Sequence, residues 1–141
     1  MYRKILVALD GSDAAKKALR AAVELARTHG ASLHALGVEE HLPHYAATVG
    51  EVEEAKEEQD TFFGQVMAEA QRVAADHGVG LTTEVRAGNA AQQIVQAARE
   101  GNVDLVVLGA RGHSIIRDFL LGTTTDRVTH HAPCSVLVVR A

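Results

Sequence analysis

Cysteine is almost missing from this chain of 141 residues: there is one, Cys134. A single thiol closes no internal disulfide, so the fold needs no oxidising compartment. Cys134 reads as a small buried hydrophobe at the start of a strand. Tryptophan is absent and aromatic residues are only 4%, so a core must come mainly from alanine, valine, leucine and isoleucine. Hydrophobic residues still make up 47%, which is enough for one core and excludes wholesale disorder. No apolar run approaches the ~20 residues of a membrane span. The run Ile5 to Leu9 is too short for the core of a signal peptide and has no cleavage-type site. A cytoplasmic protein without membrane contact is the expectation. Cations are also in deficit. The formal net charge of −4 argues against a nucleic-acid binder that works through a bulk positive field.

What is present is an alternation of strand and helix signals from end to end. Lys4 to Leu9 predicts a first strand, closed by Asp10-Gly11-Ser12-Asp13. Ser12 or Asp13 is placed to cap a helix in which Leu19, Ala22, Val23 and Ala26 recur at helical spacing, and Gly30 ends it. Ser32 to Val38 predicts a second strand, and the polar stretch from Glu39 to Gly50, around Pro43, a surface loop. A long helix is predicted from about Glu51 to His77, with Phe62, Phe63, Val66, Met67, Ala70, Val73 and Ala74 as its apolar stripe. The acidic run Glu51 to Asp60 lies in its first half. The helix dipole favours acids only in the first turn, so the rest of the run reads as a solvated face.

Leu81 to Arg86 alternates as a third strand, and Asn89 caps a helix striped by Ala91, Ile94, Val95 and Ala98. Asp104 to Leu108 predicts a fourth strand, Thr123 to His131 a short helix ended by Pro133, and Ser135 to Arg140 a fifth strand. The first, fourth and fifth strands are nearly all apolar, the mark of strands buried on both faces. With right-handed crossovers this order predicts a single α/β domain over residues 1–141. It is an open five-stranded parallel sheet in the order 3-2-1-4-5, Rossmann-like, with helices on both faces.

In such sheets ligands sit at the carboxyl ends of the strands, where the strand order reverses. Two loops are therefore of interest: Asp10-Gly11-Ser12 after the first strand, and Gly109-Ala110-Arg111-Gly112-His113 after the fourth. Neither Gly-x-Gly-x-x-Gly nor Gly-x-x-x-x-Gly-Lys-Ser/Thr is found, so the common dinucleotide and P-loop fingerprints are absent. Instead Gly109-x2-Gly112 is followed after nine residues by Gly122-Thr123-Thr124-Thr125, at the start of a helix. Glycines admit close backbone approach, and a helix N-terminus offers free N–H groups, hydroxyls and the positive end of the dipole. Arg111, His113 and Arg117 lie between the two glycine elements and add positive charge. These parts describe a phosphate cradle. Glycines also end strands and start helices in any α/β protein, so the residues alone leave ordinary turn chemistry as the alternative.

The long glycine motif, the closing strand Ser135-Val136-Leu137-Val138-Val139-Arg140 and the opening Lys4-Ile5-Leu6-Val7-Ala8-Leu9-Asp10-Gly11-Ser12 together resemble the ATP-binding branch of the universal stress protein family. The resemblance spans the whole chain. It implies an ATP site bound together with Mg2+ or Mn2+. Asp10 would lie by the ribose and help the divalent cation. Ala8 and Leu9 would wall the adenine, and Val38 would meet it through its backbone. Gly109 would lie against the ribose, with Arg111, Gly112 and His113 near the phosphates. Gly122, Thr123, Thr124 and Thr125 would hold the phosphates at the helix start. The resemblance also implies a homodimer paired through the C-terminal strand, Val136 to Arg140. In the 3-2-1-4-5 order that strand is an apolar edge, which needs cover.

Other constellations carry less. His41 and His44 flank Pro43 with no further ligand nearby in sequence, so they are expected in a surface loop and not in a metal site. His130-His131 reads as a helix-end feature favoured by the dipole. Ser12 has no Gly-x-Ser-x-Gly elbow and so no hydrolase triad. No general base stands out beside the cradle, which favours a nucleotide-dependent regulatory protein with at most slow ATP hydrolysis. The alternatives are an ATP-using enzyme of adenylyl or phosphoryl transfer, or an interaction module without nucleotide. A regulated protein partner is the remaining expectation.

Overall fold

The computed structural model describes residues 1–40, 48–110 and 122–141. Along these residues the elements run β1 (Lys4–Ala8), α1 (Asp13–His29), β2 (Ser32–Glu39), α2 (Val49–Asp76), β3 (Leu81–Ala87), α3 (Ala90–Glu100), β4 (Leu105–Gly109), α4 (Thr123–His131) and β5 (Ser135–Val139). The sheet has five strands in the order β3-β2-β1-β4-β5. Every pairing is parallel. The architecture is the one the alternation predicts.

Period-two alternation divides the strands between two cores. Ile5, Val7, Leu33, Ala35, Leu105 and Val107 face α1 and α2, meeting Ala18, Leu19, Ala22, Met67, Ala70 and Ala74. Leu6, Leu36, Val106 and Leu108 face the other way, onto Ile94, Val95 and Ala98 of α3 and Val128 of α4. Alanine dominates the helix faces, which lets helices lie close to the sheet. Gly37 continues this economy: a Cβ there would lie 2.6 Å from the Phe63 ring.

The starts of α1, α2 and α3 are fixed by side chains. The Ser12 hydroxyl accepts from Ala15 N–H at 3.1 Å, and the Asn89 side chain accepts from Gln92 N–H at 3.0 Å. α2 begins at Val49, before the predicted Glu51, because Thr48 and Glu51 form a capping box. β4 starts after Asp104 because that carboxylate is occupied otherwise, accepting from the amides of Arg3 and Lys4 at 2.9 and 3.1 Å.

Two expectations about burial need correction. β5 is not buried on both faces within the chain; it is an edge, with Val136 and Val138 half-buried and Leu137 exposed. Val136 and Val138 pack toward the α3–α4 core and Val139 toward the α1–α2 core, so the strand is partly covered on both faces and Leu137 is left exposed. Phe62 belongs to the predicted stripe of α2 yet is 45% exposed. Its ring sits instead over Gly11, where an added Cβ would lie 2.3 Å from it. Gly11 also has φ +82°, so two constraints select glycine at one turn. Cys134 is half-buried just before β5, and burial, aided by Asp104, raises its thiol pKa. That suits a packing residue and not a reactive thiolate.

The opposite edge, β3, is polar. His34 contacts the Thr82 hydroxyl at 2.6 Å and Glu84 at 3.0 Å, while Arg86 donates to Glu84 at 2.7 Å and to Glu100 at 3.1 Å. The Arg86 guanidinium, and next His34, hold the Glu84 carboxyl below its ordinary range. Charge on this edge discourages pairing with another strand.

Candidate functional site

β1 and β4 are neighbours, and their chains leave toward opposite faces: β1 into α1, β4 toward α4. A crevice opens between these exits at the carboxyl edge of the sheet, where this topology places ligands. Its floor is the end of β1, with Ala8, Leu9 and Asp10. Leu36, Val38 and Glu40 close it from β2, and Leu108 and Gly109 from β4. Ser12 and Ala15 of the first helical turn, Ala90 and Ile94 of α3, and Thr124 and Thr125 of α4 complete it.

Of the residues picked out in the sequence, Ala8, Leu9, Asp10, Val38, Gly109, Thr124 and Thr125 thus meet at one cavity. Gly122 is the N-cap of α4, and Thr123 is its exposed first residue; neither lines the cavity wall. Arg111, Gly112 and His113, like Arg117 and the His41–His44 pair, lie outside the described residues. Leu36, Ile94 and Leu108 were not singled out, although a signal was available. Leu36 shares a strand face with Val38, and Ile94 follows one turn after Ala90 at the start of α3.

The polar end of the cavity is built around α4. Gly122 provides no capping side chain, and the first helical bond runs from Asp126 N–H to the Gly122 carbonyl at 2.8 Å. The amides of Thr123, Thr124 and Thr125 therefore precede the first intrahelical bond and carry the positive end of the dipole. The threonine hydroxyls are not equivalent. Thr125 is 1% exposed, and its Oγ1 donates to the Gly109 carbonyl at 3.1 Å. That hydroxyl fastens α4 to the end of β4, leaving Thr124 as the half-buried hydroxyl at the cavity wall.

Gly109 has a second reason to lack a side chain. A Cβ there would lie 2.6 Å from the Ala14 carbonyl carbon, inside the first turn of α1. Close helix–strand packing, as well as open space for a ligand, selects glycine.

On the β1 side, Asp10 Oδ1 accepts from Ser12 N–H at 2.9 Å, which fixes the turn and orients the carboxylate at the rim. At β2, consecutive acids diverge. Glu40 lines the cavity, whereas Glu39 is buried on the α2 side. Burial, and then contact with Asp60, push the Glu39 carboxyl up; Lys56 pulls it part of the way back. The wall is otherwise apolar on both sides of Val38. Leu9, Val38 and Ile94 give the cavity an apolar side, and the start of α4 gives it a polar one.

Comparison with known proteins agrees with this architecture. The model of the universal stress protein family matches residues 1–140. The chain is 35% identical over 148 residues to universal stress protein YxiE of Bacillus subtilis, covering 99% of this chain and 100% of that protein. The structure of universal stress protein UspA from Lactobacillus plantarum superposes with a TM-score of 0.89 at 34% identity, covering 99% of this chain and 98% of the other. A universal stress protein crystallised in complex with cAMP superposes with a TM-score of 0.77 at 26% identity, covering 98% and 97%. The chain belongs to the universal stress protein family.

Proposed function

We propose that this protein binds ATP, with Mg2+ or Mn2+ carried on the nucleotide, and acts as a nucleotide-dependent regulator in the cytoplasm. The observation that carries the reading is the convergence of an apolar slot and an uncapped helix N-terminus on one cavity. Adenine suits the slot between Leu9, Val38 and Ile94. The phosphates suit the amides of Thr123 to Thr125 and the Thr124 hydroxyl. Nucleotide binding by a relative of this fold, the cAMP complex, supports the class of ligand.

The residues fit a nucleotide-borne cation better than a resident one. No group of three or more metal-binding side chains gathers among the described residues. Of the two cavity carboxylates, Asp10 and Glu40, Asp10 at the end of β1 would help hold a cation carried on the nucleotide. Bound there, the ion neutralises phosphate charge. The chain's own residues orient the nucleotide: Asp10 at the ribose edge, Gly109 beneath it, and the α4 amides at the phosphates. Glu40 is a second carboxylate on the cavity wall, on the β2 side, and the reading keeps any hydrolysis slow.

Pairing of two copies through β5 belongs to the same reading. Leu137 is exposed on an apolar edge strand, and antiparallel pairing across a two-fold axis would cover it.

Calorimetry with ATP and with adenosine, each with and without magnesium, tests the proposal. ATP with magnesium should bind at least about tenfold more tightly than adenosine, since charge-assisted hydrogen bonds are worth ~1.5–3 kcal/mol each. Equal affinities would remove the phosphate site, and no binding of either would remove the nucleotide reading.

A further inference from the structure

A second groove lies away from the nucleotide cavity, between α3 and α4, with a volume of about 470 Å³. Its α3 wall presents Asn89, Gln92, Gln96 and Arg99, and its α4 wall Arg127 and His131. Both sets repeat at three- or four-residue spacing, so each forms a row along its helix. Ala91 and Val95 make a smooth floor. Among the described residues, no carboxylate lines this groove.

Its arginines share one groove, and neither is held by a carboxylate of the described residues, a state they have in common with Arg3 and Arg20 elsewhere on the surface. Arg27, Arg72 and Arg86 each hold a glutamate of this chain. Arg99 and Arg127 have no ion-pair partner among the described residues, and they approach one groove from two different helices. In a chain of net charge −4 this is a local pair of cations with no carboxylate beside them among the described residues lining the groove. Guanidinium forks and carboxamides together match carboxylates presented along a peptide.

We infer that the α3–α4 groove is a docking site for an acidic, extended segment of a partner protein. Charge complementarity selects the occupant. Arg99 and Arg127 would each take a carboxylate, with Gln92 and Gln96 donating to the peptide between them. A nucleic acid fits less well, because His131 is the one ring among the described residues lining the groove and offers no row of stacking platforms for successive bases. A membrane surface fits less well because no large apolar side chain stands on the groove's rim.

The test is fluorescence anisotropy of a fluorescein-labelled peptide of alternating aspartate and serine, titrated with the intact protein at low salt. Saturable binding is expected, weakening as salt is raised. The double variant R99E/R127E should lose at least about tenfold in affinity, because two attractions become repulsions. R99Q/R127Q should lose less, and R3E/R20E, which changes net charge equally outside the groove, should bind like wild type. Circular dichroism and retained ATP affinity would show that the groove variants are folded and their nucleotide cavity intact. Loss in R3E/R20E as large as in R99E/R127E would overturn the proposal in favour of a bulk field. Binding of an oligothymidylate but not of the peptide would assign the groove to nucleic acid. Peptide displacement by millimolar inorganic phosphate alone would reduce it to a small-anion site. Self-association abolished by R99E/R127E would give the groove to a second copy, and no peptide binding at all would end the inference.

Discussion

The buried hydroxyl of Thr125 donates to the carbonyl of Gly109 across 3.1 Å, joining the first turn of α4 to the last residue of β4. The two residues border the stretch whose glycines and cations drew attention in the sequence. Whatever occupies the cavity meets a helix start fastened to β4 by this bond and packed beneath by the buried Val128.

Thr125→Val keeps the shape of the side chain and removes the donor. The Gly109 carbonyl would then lose its side-chain partner in a buried setting, which costs about 1–3 kcal/mol. We expect a fall in unfolding free energy of that size in urea, with an unchanged m-value. If the phosphates sit at this helix start, affinity for ATP should fall more than affinity for adenosine. A variant as stable as wild type would show that water replaces the hydroxyl without loss.

Gly109→Ala tests packing against ligand approach. The new Cβ would fall 2.6 Å from the Ala14 backbone, so α1 must move. Overpacking of this kind costs ~1–3 kcal/mol. Thermal unfolding should show the loss in the absence of any nucleotide. Unchanged stability, with nucleotide affinity alone reduced, would restore ligand approach as the only reason for glycine here.

Much of this was legible in the chain. Apolar runs at β1 and β4, closed by Asp10-Gly11 and Gly109, placed the centre of the sheet and its carboxyl edge. Ser12, Asn89, Gly30 and Gly101 punctuate the helices as their chemistry requires. The misreadings share a cause. Phe62 fits the helical period of α2, but period alone does not say where a helix overhangs the sheet, and there its ring found Gly11. β5 is as apolar as β1, but apolar content does not say how fully the helices cover a strand at the edge of the sheet. Thr125 was grouped with Thr123 and Thr124 because all three open a helix; only the register of α4 against β4 assigns its hydroxyl to Gly109.

Glu39 gives a pH dependence with a definite sign. Burial, then Asp60, raise its pKa in the folded protein above the unfolded value. The folded state therefore binds more protons in the window between the two pKa values, and stability falls as pH rises through it. At neutral pH the buried charge is a cost. Glu39→Gln retains a polar contact to Asp60 without that charge. It should be more stable than wild type at neutral pH and should flatten the stability profile on the acid side. Urea titrations from mildly acidic to neutral pH decide this, and a variant less stable at neutral pH would contradict it.

The edge strand gives the last prediction. Val138 packs toward the α3–α4 core, so a charge there would disturb one chain as well as any pair of chains. Leu137 is the cleaner probe, since it is 37% exposed at the edge of the sheet. An edge of this kind invites pairing, and natural sheets commonly place a lysine there to prevent it. At 37% exposure Leu137 still buries most of its surface, but the lysine stem can cover part of it, so Leu137→Lys should lower the unfolding free energy by about 1 kcal/mol without unfolding the chain. Across a two-fold axis the same lysine would lie near its own copy and repel it. Sedimentation should therefore show wild type as a dimer at micromolar concentration and Leu137→Lys shifted toward monomer, with the far-ultraviolet circular dichroism unchanged. A monomeric wild type, or a variant that dimerises equally well, would place any pairing surface away from β5 and leave the apolar edge without an explanation.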